Sequence, residues 1–163
     1  MRIDFPMEEK VREIFTNLKM SVSVPPQARE FFHITVTPPQ GGPILDVIRP
    51  TNQTPFYILG MGIGIHQYHQ DSLRRMDTAL RKEFVDSIKY YLLEMGVDVA
   101  FLPPNQDIPQ LIHVSKLVFM DGLTPNVLLD VYYTVRNAGT YVIMRFVDEF
   151  GATLGRVADT KYI

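Results

Sequence analysis

The residues closest to chemistry in this chain are three glycines, two histidines and an aspartate. The stretch YILGMGIGIHQYHQ, residues 57–70, carries Gly60, Gly62 and Gly64, then His66 and His69, and Asp71 follows at once. Two imidazoles three apart on a helical turn can share a metal ion, and a carboxylate can add an oxygen ligand. His66, His69 and Asp71 are therefore the candidate ligands of a metal-dependent or small-ligand enzyme. The set is incomplete, because a tetrahedral site needs a third and usually a fourth ligand. His33 and His113 fall on separate predicted strands, and no spacing brings them near. The simpler reading is a pair of polar loop histidines without metal.

The glycines raise a second possibility, a phosphate-cradling loop. A dinucleotide fingerprint needs G-x-G-x-x-G between a strand and a helix. Gly60 and Gly62 supply two positions, but Ile65 stands where the third glycine belongs, and no G-K-S/T follows. A spacing of two is instead the period of a strand, in which alternate residues share a face. Gly60, Gly62 and Gly64 then form one bare face, and Tyr57, Leu59, Met61, Ile63 and Ile65 line the opposite, buried one. Glycines weaken a strand, so something should approach the bare face closely. A helix or a second subunit is the expected neighbour.

Other reactive residues lack a constellation. Ser115 has no G-x-S-x-G elbow. Asp148 and Glu149 read as a solvated helix end. Asp46, on an otherwise apolar strand, needs a partner or water, and exposure on an edge strand is the plain explanation. Arg49, three residues on, points to the other face. Arg74 and Arg75 are diluted by Asp71 and Asp77, and no aromatic-and-basic patch suggests RNA.

The elements that would hold these residues follow from pattern. The first helix is expected from about Pro6 to Met20, with Asp4 as cap and Val11, Ile14, Phe15 and Leu18 on one face. SVSVPPQ ends it, since paired prolines cannot continue a helix. Three strands follow, in FFHITVT, ILDVIR and FYILGMGIGI, joined by short polar loops as an antiparallel meander. A second helix is expected from about Asp71 to Met95, with Leu73, Met76, Leu80, Phe84, Ile88, Leu92 and Met95 as its stripe. Arg74, Arg75, Arg81, Lys82, Asp86 and Lys89 form its solvated face, and Gly96 stands beyond its end at positive φ. VDVAFL and LIHVSKLVF are two more strands. Thr124 and Pro125 mark the start of a third helix that reaches Phe150, with Gly151 as terminator. Its inner row is Leu128, Val131, Val135, Ala138, Val142 and Phe146, broadened by Val127, Tyr132, Tyr133 and Tyr141. The order is α-β-β-β-α-β-β-α, an α+β fold with an antiparallel sheet packed by helices. Residues 1–151 make a single domain, and 152–163 a weakly patterned tail.

Size and composition set outer limits. A chain of 163 residues suits one domain and buries about two thirds of its unfolded surface. It has no cysteine, which excludes thiolate zinc sites and cysteine nucleophiles. A net charge of −2 gives no global field toward nucleic acid or anionic membrane. There is no secretory h-region and no span of roughly 18 apolar residues, so a cytoplasmic location with no membrane contact is expected.

Four stretches carry a family resemblance: PILDVIRP leading into FYILGMGIGI, then RMDTALRKEFVDSIKYYLLEMGVDVAFLP, then IHVSKLVFMDGLTPNVLLDVYYTVRNAGTYVIMRFVDEFG. Together they cover most of residues 6–151. Their element order resembles type III secretion chaperones and the related YbjN-like regulators. More closely, the chain looks like an uncharacterised, mainly archaeal family placed with that fold. The resemblance implies a small homodimer without enzymatic activity that binds an extended segment of another protein. The chain departs from the usual acidity of such chaperones.

The expectation is thus a non-enzymatic protein-binding module, homodimeric, without cofactor, with an unknown protein or peptide partner. Gly60, Gly62 and Gly64, with Arg74 and Arg81 of the following helix, are the candidate dimer face. Phe31, His33, Thr35 and Thr37 are the candidate strand edge for an extended peptide.

Overall fold

A computed structural model describes residues 6–153. The expected Asp4 cap and most of the expected tail lie outside that range. Of the tail, Ala152 and Thr153 are described, and Thr153 is buried. The elements are α1 (Met7–Asn17), β1 (Ser21–Ser23), β2 (Phe32–Thr37), β3 (Leu45–Arg49), β4 (Phe56–Gly64), α2 (Gln67–Arg75), α3 (Thr78–Glu94), β5 (Asp98–Leu102), β6 (Leu111–Phe119) and α4 (Pro125–Phe150), with a single 3₁₀ turn at Met120–Gly122 before α4.

Local chemistry explains where the helices begin and end. Pro6 stands at the N-cap of α1, and Glu8 and Glu9 in the first turn suit the positive end of the helix dipole. The chain leaves α1 through Lys19 at φ +62. Thr124 accepts from the Val127 N–H at the start of α4, with Pro125 in the first turn and Gly151 at the end, as expected. The second expected helix is two. Helix α2 begins earlier, where the His66 ring accepts from the Tyr68 N–H (3.0 Å). The chain then turns extended at Met76, and the Asp77 carboxylate accepts from the Ala79 N–H (3.1 Å) to start α3. Aspartate competes for backbone N–H groups in this way, so it caps helices better than it continues them. Because of the break, Leu80 is exposed rather than continuing the stripe, while Leu73, Phe84, Ile88 and Leu92 are buried. Gly96 takes φ +76 beyond α3.

The six strands form one antiparallel sheet in the order β1-β2-β3-β4-β6-β5. Strand β4 sits inside it, paired with β3 on one side and along its whole length with β6 on the other. Alternation then sorts side chains to two faces. Tyr57, Leu59, Met61 and Ile63 of β4, with Ile34, Val36, Leu45, Val47, Ile112 and Val114, all point into one core. Helix α4 packs on that side of β4 and β6, and α2 and α3 pack on α4. Phe84 meets Phe146 edge to face (5.4 Å), and Arg145 donates to Ser87 Oγ (3.0 Å) to tie α4 to α3. Phe15 of α1 packs against Tyr132 of α4 (5.6 Å) on the same side. All four helices therefore cover one face of the sheet. Among the described residues, no helix is long and apolar enough to cross a membrane.

An ionic latch fixes α1 to the sheet. Glu8 accepts from Arg49 Nη1 (2.6 Å) and from the Tyr57 hydroxyl (2.8 Å). Arg49 also donates to the carbonyls of Thr54 (2.9 Å) and Asn52 (2.7 Å), which anchors the β3–β4 loop. Burial alone would raise the Glu8 carboxyl, but the hydrogen bonds from Arg49 and Tyr57 outweigh it and hold the group below its ordinary value. Burial, with Glu8 as neighbour, pushes the Tyr57 phenol well up.

The closest approach in the core is between α4 and β4. A Cβ on Gly139 would stand 2.2 Å from Met61 Sδ and 2.6 Å from its Cε. Met61 is fully buried and has little room to yield. Gly139→Ala should therefore destabilise by about 1–3 kcal/mol through overpacking. Chemical denaturation should also show Gly139→Ala combined with Met61→Ala losing less than the sum of the two single losses. The Glu8 latch sets a second expectation. A depressed carboxyl stabilises above its unfolded value and loses that contribution as pH falls through the folded one. Wild-type denaturation midpoints should thus drop on acidification more steeply than those of Glu8→Gln.

Candidate functional site

Among the described residues, the helices leave the other face of the sheet uncovered. Residues that alternate with the core rows meet on it, and the strand register sets their order. One row runs Thr35, Asp46, Gly60, Ser115, Asp98; the next runs His33, Ile48, Ile58, Leu117. Gly62, His113 and Ala100 form a third, and Gly64, Leu111 and Leu102 a fourth. Phe56 and Phe119 close one end, with ring centroids 5.5 Å apart. Leu117 is 39% exposed and Phe119 53%, large values for residues on interior strand β6. Ile48 and Ile58 are half-buried beside them. The result is an apolar field on β3, β4 and β6, flanked by polar groups on β2 and β3.

The bare side of β4 is where the sequence places it, with Gly60, Gly62 and Gly64 on one face and the apolar residues on the other. Its close neighbour within the chain is a side chain of the adjacent strand rather than a helix. The His113 ring lies over Gly60, where an added Cβ would meet Cε1 and Nε2 at 3.0 Å. Leu111 Cδ1 approaches Gly62 in the same way (3.4 Å). The glycines thus let β6 side chains lie flat across β4, which keeps this part of the face low.

The polar flank is an ionic cluster. His33 bonds to Glu30 Oε2 through Nδ1 and to Asp46 Oδ1 through Nε2, each at 3.0 Å. Asp46 therefore has a partner, and β3 is an interior strand rather than an exposed edge. Burial lowers the readiness of His33 to protonate, but Asp46 and Glu30 outweigh it and raise the imidazole above its ordinary value. A ring that gives both nitrogens to carboxylates is best satisfied as the imidazolium, with both N–H groups donating. It has no nitrogen left to take a proton from a substrate, so the cluster is electrostatic rather than a general base. The Ser23 and Thr35 hydroxyls share a hydrogen bond (2.7 Å) beside it.

Three expected groupings are not brought together. The His66 and His69 rings lie 6.5 Å apart, but each member of the expected metal set has another task. His66 caps α2, the buried His69 pairs with the Gly151 carbonyl through Nε2 (2.7 Å), and Asp71 accepts from Gln67 (2.9 Å) and Arg74 (2.7 Å). Among the described residues, no group of three or more histidines and carboxylates is placed to hold a metal ion. The composite dimer face fails because the glycines face away from the helix layer that carries Arg74 and Arg81. Arg81 is also not a solvated residue. Its side chain is 14% exposed and reaches the Leu73 carbonyl (3.4 Å) and Asp107 (3.5 Å). The peptide edge fails because β1 pairs along Thr35–Thr37, and Phe31 precedes β2 with its N–H on the Pro50 carbonyl (3.0 Å). His33 and Thr35 belong to the open face instead. Sequence reasoning missed Glu30, Ile58, His113 and Leu117 as members of that face. Strict alternation in β4 and β6, once paired, is the signal that places the last three.

A family described as "Uncharacterized conserved protein (DUF2299)" matches residues 7–146. Comparison with curated proteins gives no match. Among solved structures, the fold is similar to that of an uncharacterized protein from Methanothermobacter thermautotrophicus, with TM-score 0.80 and 22% sequence identity, covering 90% of this chain and 100% of that one.

The His33 cluster predicts a pH effect. A raised imidazole contributes stability that is complete below the unfolded value of 6.5 and is lost as pH rises through the folded one. The stability advantage of wild type over His33→Gln should therefore be largest in mild acid and shrink toward alkaline pH, as measured by urea unfolding across that window.

Proposed function

We propose that this chain, which belongs to the DUF2299 family, is a non-enzymatic protein-binding module that works as a homodimer through the open face of its sheet. The single observation behind this reading is a six-stranded sheet whose helices, among the described residues, lie on one face only. A half-covered sheet is ordinary when its outer face is polar. Here the outer face carries Ile48, Ile58, Leu117, Phe56 and Phe119 together, and contiguous exposed apolar surface marks an interaction site.

The size of the face suits a second copy. Six strands span roughly 24 Å across and the longest run roughly 30 Å. A patch of that order approaches the roughly 800 Å² per partner that a stable complex buries. The charges sit at the margin of the face, where the His33 imidazolium offsets one of the two carboxylates Glu30 and Asp46 and leaves one negative charge beside the apolar field. His33, His66 and His69 are engaged with carboxylates or backbone, which favours a binding role over acid–base chemistry. The same one-sided cover suits a type III secretion chaperone-like scaffold, in which an extended partner segment lies over helix and sheet surfaces.

Light scattering coupled to size-exclusion chromatography tests the dimer. The expected mass is twice 18.7 kDa at micromolar concentration. Ile58→Lys and Leu117→Lys should each shift the protein to monomer with its circular dichroism intact. A wild-type monomer at high micromolar concentration, or lysine variants that stay dimeric, would remove the proposal.

A further inference from the structure

A cleft on the helix side of the sheet is walled in part by two residues with buried polar atoms that make no hydrogen bond among the described residues. It lies where the end of α1, the β2–β3 loop and the first half of α4 meet, and has a volume of about 240 Å³. Tyr132, fully buried, and Arg136 contribute to its wall. The Tyr132 hydroxyl and Arg136 Nε are both buried, and neither makes a hydrogen bond among the described residues. An unmet buried donor costs about 1–3 kcal/mol, and more when it is charged, so two in one place need an account.

The lining points to one kind of ligand. Among the described residues on the wall, Arg136 alone is charged and none is a carboxylate. The Arg136 guanidinium also sits 6.0 Å from the centre of the Tyr133 ring, so it is held over an aromatic face rather than by an ion pair. Burial pushes the Tyr132 phenol above its ordinary value, against the pull of Arg136, so at neutral pH it remains an O–H able to donate. A guanidinium and a phenol hydroxyl form a donor pair that asks for an oxyanion, and the planar guanidinium fork suits carboxylate or phosphate. Leu18, Met20, Pro38 and Pro39 add an apolar wall for the rest of the molecule. The volume is below the roughly 300–1,000 Å³ of whole drug-sized sites, which limits the occupant to a small head group.

We propose that this cleft binds a small organic oxyanion, a carboxylate or phosphate monoester, with its charged end on Arg136 and Tyr132 and its apolar body against Pro38, Pro39 and Met20. The site is independent of the sheet-face dimer, so either proposal can fail alone.

The test is an NMR titration of the full chain at constant ionic strength with benzoate, phenyl phosphate and, as a neutral control, benzyl alcohol. Saturable movement of the Arg136 Nε–H signal is expected with at least one of the two anions and not with the alcohol. Whichever anion binds more tightly identifies the head group. Arg136→Gln should weaken binding by about tenfold or more, equivalent to about 1.4 kcal/mol. Tyr132→Phe should weaken it several-fold without lowering the melting temperature, because it removes an unmet hydroxyl. Should Arg136→Gln not fold, Arg136→Lys keeps the charge, loses the fork and should still bind more weakly than wild type. The proposal is overturned if neither anion gives saturable shifts, if benzyl alcohol binds as well as benzoate, or if the Arg136 variants bind like wild type.

Discussion

The contact between Gly139 and Met61 is the constraint on which the two layers depend. A helix crosses the middle of a sheet at close range only where one partner has no side chain to interpose. At Gly139 the backbone of α4 comes down onto a methionine that rises from the centre of β4. Met61 suits the role because an unbranched, polarizable side chain fills an irregular gap well. The rest of the helix layer follows from this seat. Helix α2 leans on α4 through His69 and Phe146, and α3 packs both on strand β5 and, through Phe84, on Phe146 of α4. Helix α1 reaches it through Phe15 on Tyr132.

Charge is used differently on the two sides of the sheet. On the helix side, Glu8, Arg49 and Tyr57 form a hydrogen-bonded set that joins a helix, two strands and a loop. Buried pairs of this kind are costly to break but add little over an apolar contact, so the latch fixes where α1 docks more than how firmly it is held. On the outer side, Glu30, His33 and Asp46 remain partly in water. A change in the charge of that cluster falls outside the buried core.

The elements were legible wherever local pattern and tertiary role coincided. Strand β4 showed itself through alternate glycines and apolar residues, because the face that packs on α4 has the same period as the pleat. Helix α4 was bounded correctly because Thr124, Pro125 and Gly151 are local signals that need no tertiary partner. The break between α2 and α3 was hidden because Met76 continues the apolar stripe and Asp77 resembles a surface acid. Its capping bond to Ala79 is what gives it away. Strand β1 was missed because three residues, two of them serine, carry no period of their own. The glycines announced a close neighbour, but naming His113 required the pairing of β4 with β6. The link between His33 and Asp46 was hidden for the same reason, since it crosses strands on a diagonal of the register. Tyr132 read as additional apolar surface, and its unmet hydroxyl becomes visible only when the surroundings are known.

The two margins of the sheet bear on how the protein stays dispersed. An outermost strand offers a row of unpaired amides that can recruit further copies without limit. Strand β1 offers only three residues, with both serines exposed, and β5 places the exposed Asp98 at one end while Pro103 follows directly on the other. Short length, a charge and a proline are the devices that stop edge-to-edge polymerisation. With its flanks blunted, this sheet is protected from growing sideways into a fibre.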